Sequence, residues 1–313
     1  MSDQGTLVRV CRLYYEDGET QERIAALVGV TRPQVSKLLK QARARGVVEI
    51  RILDATPDAS LADRLRDRFG LREVRIAPSV DGHDAATRRR LGALAAEALR
   101  ACVRDGQVIG IGAGSAVAAT AEAMEPAEPP VDATVVPLCG GFWVSSAGPE
   151  PFRRLAESLG ATARALMAPG VLERRETRDA LWSDPGIVAI RELWDRLDVA
   201  LVGIGGPSWS LANVGEASLA ELAADRAIGE VLIAPFDSAG RLVAPGFRAR
   251  TIAFDAASLV RVGTVIGVAA GPAKVGPVVA ALRGRFVNVL VTDAPTAEAV
   301  LAHADVASTA GLA

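Results

Sequence analysis

Cysteine is scarce in this sequence and follows no recognisable pattern. The three cysteines, Cys11, Cys102 and Cys139, lie far apart and lack the paired spacing of a zinc or iron–sulfur site. Nothing in the sequence indicates secretion, so a disulfide framework is not expected. We therefore expect reduced thiols, no metal and a cytoplasmic protein.

The sequence has no long apolar run and only two histidines. No apolar stretch approaches the roughly 20 residues that a membrane-spanning helix needs, and the first residues lack the basic-then-apolar order of a secretion signal. We therefore expect no membrane partner. The two histidines, His83 and His303, fall in or beside predicted helices and belong to no catalytic pattern.

Positive charge is unevenly distributed, although the net charge is only −2. Residues 1–52 carry a net charge of +3, and the remainder carries −5. With 313 residues, half of them hydrophobic, the chain is long enough for two domains. We predict a small basic domain over residues 1–54, suited to phosphate contact, and a larger domain over residues 55–313.

Residues 20–45 have the pattern of a helix-turn-helix. The apolar positions include Ile24, Val28 and Val35, which would fill the angle between two helices. Ala25 is small where the helices approach, and Gly29 falls in the turn, where a positive φ favours glycine. Thr31 can cap the second helix, and Pro33 is tolerated in its first turn.

The second helix of this motif has a face rich in hydrogen-bond donors. An α-helix of this kind fits the major groove of DNA, where arginine can bind guanine bidentately and lysine can contact phosphate. The alternative is an ordinary helical hairpin with a solvated basic face. The joint placement of Ala25, Gly29 and the capped basic helix favours DNA binding. We predict contact with double-stranded DNA through Thr31, Arg32, Gln34, Ser36, Lys37 and Lys40.

Further elements would complete a winged helix-turn-helix head. Residues 6–17 have the apolar spacing of a supporting helix. After the second helix, Gly46 is expected to end the helical run. Residues 47–52 alternate apolar and polar side chains, which predicts a strand that serves as the wing.

The rest of the chain alternates short apolar strands with amphipathic helices. This pattern predicts a doubly wound, mainly parallel α/β domain with helices on both faces of the sheet. Strands are predicted over residues 73–78, 107–112, 133–138, 163–168, 199–205, 230–234, 264–270 and 287–293. Helices are predicted over residues 60–69, 84–104, 115–124, 150–159, 184–196, 216–225, 273–283 and 295–303.

Several predicted strands end in glycine-rich segments, which is where open α/β sheets bind ligands. Residues 110–115, GIGAGS, lead into a helix whose amides could hold a phosphate; a dinucleotide motif is the competing interpretation, but the glycine spacing differs. Paired glycines also occur in LCGGFW (138–143) and GIGGPS (203–208).

Three charged residues fall near such strand ends. Lys274 lies at a predicted helix start, which suits an anion, although a solvent-exposed lysine is an equal alternative. Asp237 follows a strand and could bind sugar hydroxyls, but turn initiation is the commoner role. Glu230, at the start of that strand, has the same two interpretations.

The whole chain resembles the SorC family of sugar-responsive transcription regulators. The motifs that carry this resemblance are TRPQVSKLLKQARARGVVEIRI, GIGAGS, VVPLCGG, LMAPG, DVALVGIG, FDSAGRL and the long segment VIGVAAGPAKVGPVVAALRGRFVNVLVTDAPTAEAVL. The resemblance implies an effector domain folded like ribose-5-phosphate isomerase and glucosamine-6-phosphate deaminase. It also implies oligomers, dimers or tetramers, that bind paired operator sites.

The resemblance further implies a small sugar, polyol or phosphosugar effector. Members often have a polar or basic residue before the paired glycines, where this chain has Cys139. Carried over from the family, the effector-binding positions are Gly112, Gly114, Ser115, Gly140, Gly141, Gly203, Gly205, Glu230, Asp237 and Lys274.

These patterns predict a transcriptional repressor or activator that needs no cofactor and whose operator binding is controlled by the effector. One alternative is a sugar-phosphate isomerase or deaminase with an added DNA-binding head, which would need a general acid and base in one pocket. Another is a constitutive DNA-binding scaffold whose pocket no longer binds a ligand.

Overall fold

The computed structural model describes residues 3–15, 17–45, 47–48, 59–78, 84–141, 150–206 and 214–309. The chain divides into two compact units, Met1–Asp54 and Ala55–Ala313. Among the described residues, no helix combines the length and the apolar character needed to cross a bilayer.

The first unit is a three-helix core made of α1 (Asp3–Tyr15), α2 (Gln21–Val28) and α3 (Arg32–Ala44). Its helices bury one apolar stripe each, as the sequence spacing predicted. Ile24 and Ala25 of α2 pack against Val35 and Leu39 of α3 within one cluster. The cluster also contains Leu7, Val10, Cys11 and Ala42.

The connection between α2 and α3 is the tight turn that the sequence predicted. Gly29 ends α2 in the left-handed region, with φ +74°, and its N–H donates to the Ala25 carbonyl at 3.0 Å. Thr31 then caps α3, and Pro33 lies in the first turn. The Gln34 side chain reaches back, so that its Oε1 accepts from the Thr31 N–H at 2.8 Å.

The predicted wing is only partly covered by the structure. Val47 and Val48 both donate their backbone N–H to the Ala42 carbonyl, at 2.9 and 3.4 Å, and they form no strand. Gly46 and residues 49–52 lie outside the described residues.

The second unit alternates helices and strands over nearly its whole length. Its elements are α4 (Ala59–Phe69), β1 (Glu73–Ala77), α5 (Asp84–Cys102), β2 (Val108–Ile111), α6 (Ser115–Ala123), β3 (Thr134–Pro137), α7 (Pro151–Leu159), β4 (Thr162–Ala163), α8 (Arg175–Trp182), α9 (Pro185–Trp194), β5 (Leu197–Gly203), α10 (Glu216–Ala224), β6 (Gly229–Val231), β7 (Ala234–Phe236), α11 (Pro245–Arg248), β8 (Thr264–Val268), α12 (Val275–Arg283), β9 (Val289–Asp293) and α13 (Ala294–Thr309). Short 3₁₀ helices span Ala256–Arg261 and Pro272–Lys274.

Seven of the strands form one parallel sheet in the order β1-β9-β8-β5-β2-β3-β4. The predicted doubly wound α/β class is therefore confirmed. The chain moves from β2 to β3 on one side, and β5 later pairs with β2 on the other side. The carboxyl ends of β2 and β5 thus flank a topological switch point, where such sheets bind ligands.

Both faces of the sheet are covered, as the nearly continuous apolar strands require. Successive residues of β5 alternate between the two cores: Val199 and Leu201 face one, and Ala200 and Val202 face the other. The first core is closed by α5, α6 and α7, and the second by α4, α9, α12 and α13.

Two of the predicted strands were wrong, and two helices were missed. The strand predicted over residues 163–168 is reduced to the two residues of β4. The strand predicted over 230–234 is the hairpin of β6 and β7, because Leu232 and Ile233 turn the chain with φ +51° and +62°. Both side chains are buried, and this burial holds a left-handed conformation that such residues ordinarily avoid, most of all the β-branched Ile233. Helices α8 and α11 were not predicted.

Candidate functional site

The edge of the sheet at the switch point carries the first group of predicted residues. After β2, Gly112 donates its N–H to the Leu201 carbonyl at 2.8 Å. A Cβ at this position would lie 3.1 Å from the Leu232 side chain and 3.2 Å from the Leu201 oxygen. Gly112 therefore lets β2 and β5 stay close where they end.

The start of α6 is an open helix N-terminus at this edge. Gly114 has φ +118°, and the space where its Cβ would stand is empty. Gly114 and Ser115 are exposed. The first amides of α6 have no acceptor within the helix, so they are available to an anion.

The paired glycines after β3 have a different role. Gly140 donates its N–H to the Ile252 carbonyl, and Gly141 donates to the Ala168 carbonyl, each at 2.9 Å. A Cβ on Gly140 would lie 2.6 Å from the backbone of Ala168 and Pro169. Because both amides are already used, neither glycine offers a free donor, and Gly140 also serves the close packing of neighbouring segments.

Two charged side chains lie beside consecutive glycines after β5. A Cβ on Gly205 would lie 2.5 Å from Glu230 Cγ and 2.9 Å from Glu230 Oε1. A Cβ on Gly206 would lie 3.5 Å from Lys274 Nζ. Both charged residues are half-buried. The fold thus brings a carboxylate and an ammonium group to one place beside the switch point.

The electrostatics of this pair reflect its partial removal from water. Burial raises the pKa of Glu230 to about 7, against the opposing effect of Lys274. Burial lowers the pKa of Lys274, and the Glu230 carboxylate acts in the other direction. The pKa of Cys139 is raised to about 12 by burial and then by Glu230, while a backbone hydrogen bond with Ala113 opposes the rise. The Cys139 thiol is therefore an uncharged group beside Glu230.

The turn that carries Lys274 is anchored by residues that the sequence did not single out. Gly271 enters the turn with φ +108°, and its N–H donates to Thr296 Oγ1 at 2.8 Å. The Thr296 N–H in turn donates to Asp293 Oδ1 at 3.1 Å. Asp293 ends β9, so the neighbouring strand end fixes the position of Lys274. An aspartate that ends an apolar strand, followed three residues later by a threonine, is the sequence signal that indicates such an anchor.

Asp237 is not brought to this site. Its carboxylate accepts hydrogen bonds at 2.9 Å from the backbone N–H groups of Ala239 and Arg241 and from Arg241 Nε. These bonds lower the pKa of Asp237, against the effect of burial. The turn packs through Gly240 against Gly284 at the end of α12, whereas Lys274 directly precedes that helix. The geometry thus favours the alternative role of Asp237 in a turn.

Histidine chemistry and metal binding find no support in the described part of the chain. His303 is exposed on α13, and His83 lies outside the described residues. Within those residues, no group of His, Cys, Asp and Glu side chains could hold a metal ion.

The predicted DNA-contacting surface is the exposed side of α3. Val35, Leu39 and Ala42 are buried, so the opposite side of the helix faces water. In the described part of the first unit, no ion pair involves Arg32, Lys37 or Lys40. The Gln34 side chain is held by the hydrogen bond that it accepts from the Thr31 N–H. The exposed residues are Thr31, Arg32, Gln34, Ser36, Lys37, Lys40 and Arg43.

Comparison with known proteins covers nearly the whole chain. A family model described as "Putative sugar-binding domain" matches residues 54–302. The sorbitol operon regulator of Klebsiella pneumoniae is 31% identical over 94% of this chain and 97% of its own length. The deoxyribonucleoside regulator of Bacillus subtilis is 29% identical over 94% of this chain and 96% of its own.

Solved structures give the same result. The crystal structure of the full-length sorbitol operon regulator from Klebsiella pneumoniae matches with a TM-score of 0.78 and 30% identity. The match covers 96% of this chain and 99% of that one. The similarity therefore extends over both units of the chain.

Proposed function

We propose, from the premise that this chain belongs to the SorC family of transcriptional regulators with a sugar-binding domain, that a small carbohydrate effector sets its affinity for operator DNA. The chain is a transcriptional regulator and not an enzyme, as its relatives are named regulators. We further propose which residues bind the DNA and which bind the effector.

The DNA-binding surface in this proposal is the exposed side of α3. Arg32, Ser36 and Lys40 follow one another at helical spacing and form one stripe. Such a stripe can enter the major groove, where Arg32 meets a guanine and the lysines meet base edges or phosphates. Thr31 and Gln34 lie at the N-terminal end of the helix, which comes nearest to the bases in this mode of binding.

The effector site in this proposal is the edge of the sheet at the switch point. The observation that carries it is that Glu230 and Lys274 lie beside the consecutive glycines Gly205 and Gly206. A carboxylate accepts hydrogen bonds from hydroxyl groups, and an ammonium group binds phosphate or hydroxyl oxygens. The open start of α6 at Gly114 and Ser115 adds donors for an anionic group. A sugar, polyol or phosphosugar fits this combination.

Regulation then requires two arrangements of paired DNA-binding heads. We infer a cytoplasmic homo-oligomer, a dimer or a tetramer, because two-fold related heads match paired half-sites in an operator. The effector shifts the balance between arrangements only by as much as its affinity for them differs. Sedimentation of the purified protein measures the oligomeric state.

The test begins with DNA sequences selected from a random pool by the full-length protein. Sugars, polyols and sugar phosphates are then screened by thermal shift, and each hit is titrated into a complex with the selected DNA. We expect at least one hit that stabilises the protein and changes its affinity for DNA. If no compound does both, effector control is wrong.

A matched pair of variants assigns the site. Lys274→Gln should weaken binding of a phosphorylated hit roughly tenfold or more, because a charged hydrogen bond is lost. Arg154→Gln removes a positive charge from an exposed position on α7 and should leave the affinity unchanged. Equal affinities for both variants would place the effector elsewhere.

A further inference from the structure

The second unit contains a large cavity that the proposed effector site does not use. Its volume is about 670 Å³, within the range of pockets that hold small molecules. Neither Glu230 nor Lys274 lines it. Four arginines line it together with two acidic residues, Asp195 and Asp255, so the lining carries a net positive charge. The arginines are Arg178, Arg191, Arg248 and Arg261.

Two of these arginines are fixed in place by Trp182. The guanidinium carbons of Arg178 and Arg191 lie 3.9 and 4.4 Å from the centre of the Trp182 ring system. Arg178 Nε also donates to the Thr251 carbonyl at 3.2 Å, and Arg191 donates to the Trp182 carbonyl at the same distance. Arg178 is also ion-paired with the exposed Asp179 at 3.0 Å, so this wall is rigid and, within the described residues, its unpaired positive charge is that of Arg191.

Arg248 has no comparable partner. It is half-buried, and within the described residues its guanidinium makes no hydrogen bond, ion pair or ring contact. Asp255 does not neutralise it, because its carboxylate caps the following turn through the Ala257 N–H and the Ser258 hydroxyl. A half-buried guanidinium without an acceptor is costly, and an anion in the cavity would supply that acceptor.

We propose that this cavity is a second ligand site, which binds a small organic anion carrying a phosphate or carboxylate group. Arg248 binds the anionic group, and Arg178 and Arg191 add positive charge to the same cavity. The apolar part of the ligand lies against Phe254 and the neighbouring small apolar side chains of the lining.

The cavity and the proposed effector site share a wall. Leu232 lines the cavity, and its side chain also closes on Gly112. Ala253 lines the cavity too, and its backbone pairs with Cys139. A ligand in the second site therefore contacts the segments that shape the first, while using none of its charged residues.

The test uses calorimetric titration of the full-length protein with phenyl phosphate, benzoate and uncharged benzyl alcohol. We expect saturable binding of phenyl phosphate, benzoate or both, and none of benzyl alcohol; the stronger of the two anions identifies the charged group. Arg248→Gln should weaken that binding roughly tenfold or more. Arg154→Gln, the exposed control on α7, should keep the wild-type affinity. Absence of binding by both anions overturns the proposal.

Two further variants keep the test decisive. If Arg248→Gln does not fold, Arg261→Gln replaces it, because Arg261 is exposed at the rim and bonds only to the Ser258 hydroxyl within the described residues. Lys274→Gln should leave phenyl phosphate binding unchanged. If Lys274→Gln abolishes binding and the cavity variants do not, the anion occupies the proposed effector site and the second site is refuted. The proposed function does not depend on either outcome.

Discussion

Gly205 and Glu230 exchange backbone hydrogen bonds in both directions, and the Glu230 side chain lies directly over the Gly205 Cα. The Gly205 N–H donates to the Glu230 carbonyl at 2.9 Å, and the Glu230 N–H donates to the Gly205 carbonyl at 3.2 Å. The end of β5 is thus bonded to β6, and the carboxylate is held at the switch point because residue 205 has no side chain.

Gly205→Ala should displace the Glu230 side chain. The new methyl group would overlap Glu230 Cγ, so we expect a loss of about 1–3 kcal/mol in the free energy of unfolding and weaker effector binding. Gly141→Ala is the control for stability, because no atom lies within 4 Å of a Cβ at Gly141. Denaturant unfolding of both variants measures the difference, and equal losses would contradict this account.

Glu230→Gln should make stability less dependent on pH. The unfolded carboxyl group titrates near 4.5, and burial raises the pKa of folded Glu230 to about 7. Between these values the folded state binds more protons, so this residue lowers the free energy of unfolding as the pH rises from 4.5 to 7. Above pH 7 the variant should be more stable, by at most about 3.5 kcal/mol.

That limit already includes the attraction of Lys274, which lowers the pKa of Glu230 against the effect of burial. At pH 4.5 and below, Glu230→Gln and the wild type should differ little. Glu157→Gln changes an exposed glutamate of α7 and should follow the wild-type profile. Thermal unfolding across this pH range measures the stability of all three proteins. A constant difference between Glu230→Gln and wild type at every pH would refute the assignment.

The sequence predicted those parts of the fold that depend on local pattern. The buried strands β2, β5, β8 and β9 have apolar runs that only a covered parallel sheet explains. The predicted turn at Gly29 and the buried stripe of α3 are confirmed for the same reason. Each of these features follows from a few adjacent residues.

Contacts between distant segments were not predictable in this way. Leu232 and Ile233 have strand-forming side chains, and only their burial in the folded unit holds them in a left-handed turn. Glu230 and Lys274 were each identified at element ends, but strand order alone brings them over the same pair of glycines. The arginine-lined cavity draws its four arginines from separate segments, so no local motif marks it.

Gly29→Ala should loosen the helix-turn-helix through the backbone alone. Gly29 has φ +74°, and no atom lies within 4 Å of a Cβ at this position. We expect a loss of about 1 kcal/mol in the local stability of α2 and α3, and a smaller loss for Gly29→Asn, since asparagine tolerates this conformation better. Hydrogen exchange of the amides of α2 and α3 in the full-length protein measures both. Identical exchange rates in both variants and wild type would contradict the prediction.

Gln34 can be tested as a cap separately from any contact with DNA. Gln34→Ala removes the acceptor for the Thr31 N–H and should cost about 0.5–2 kcal/mol at the start of α3. Gln34→Glu keeps an acceptor and should retain the protection of these amides against hydrogen exchange. If both variants lose protection equally, the capping role is wrong.

Arg32 and Lys40 should differ in what they contribute to DNA binding. Arg32 lies at the N-terminal end of α3, the end expected nearest to the base edges, so Arg32→Ala should relax the preference at one base position by about 1–3 kcal/mol. Lys40 lies two turns further on and is exposed. Lys40→Ala should weaken binding to all DNA sequences alike. It should also reduce the slope of log affinity against log salt by about 1. Titration of the selected DNA and its single-base variants at several salt concentrations separates the two effects; uniform weakening by Arg32→Ala would show that Arg32 positions the protein without reading a base.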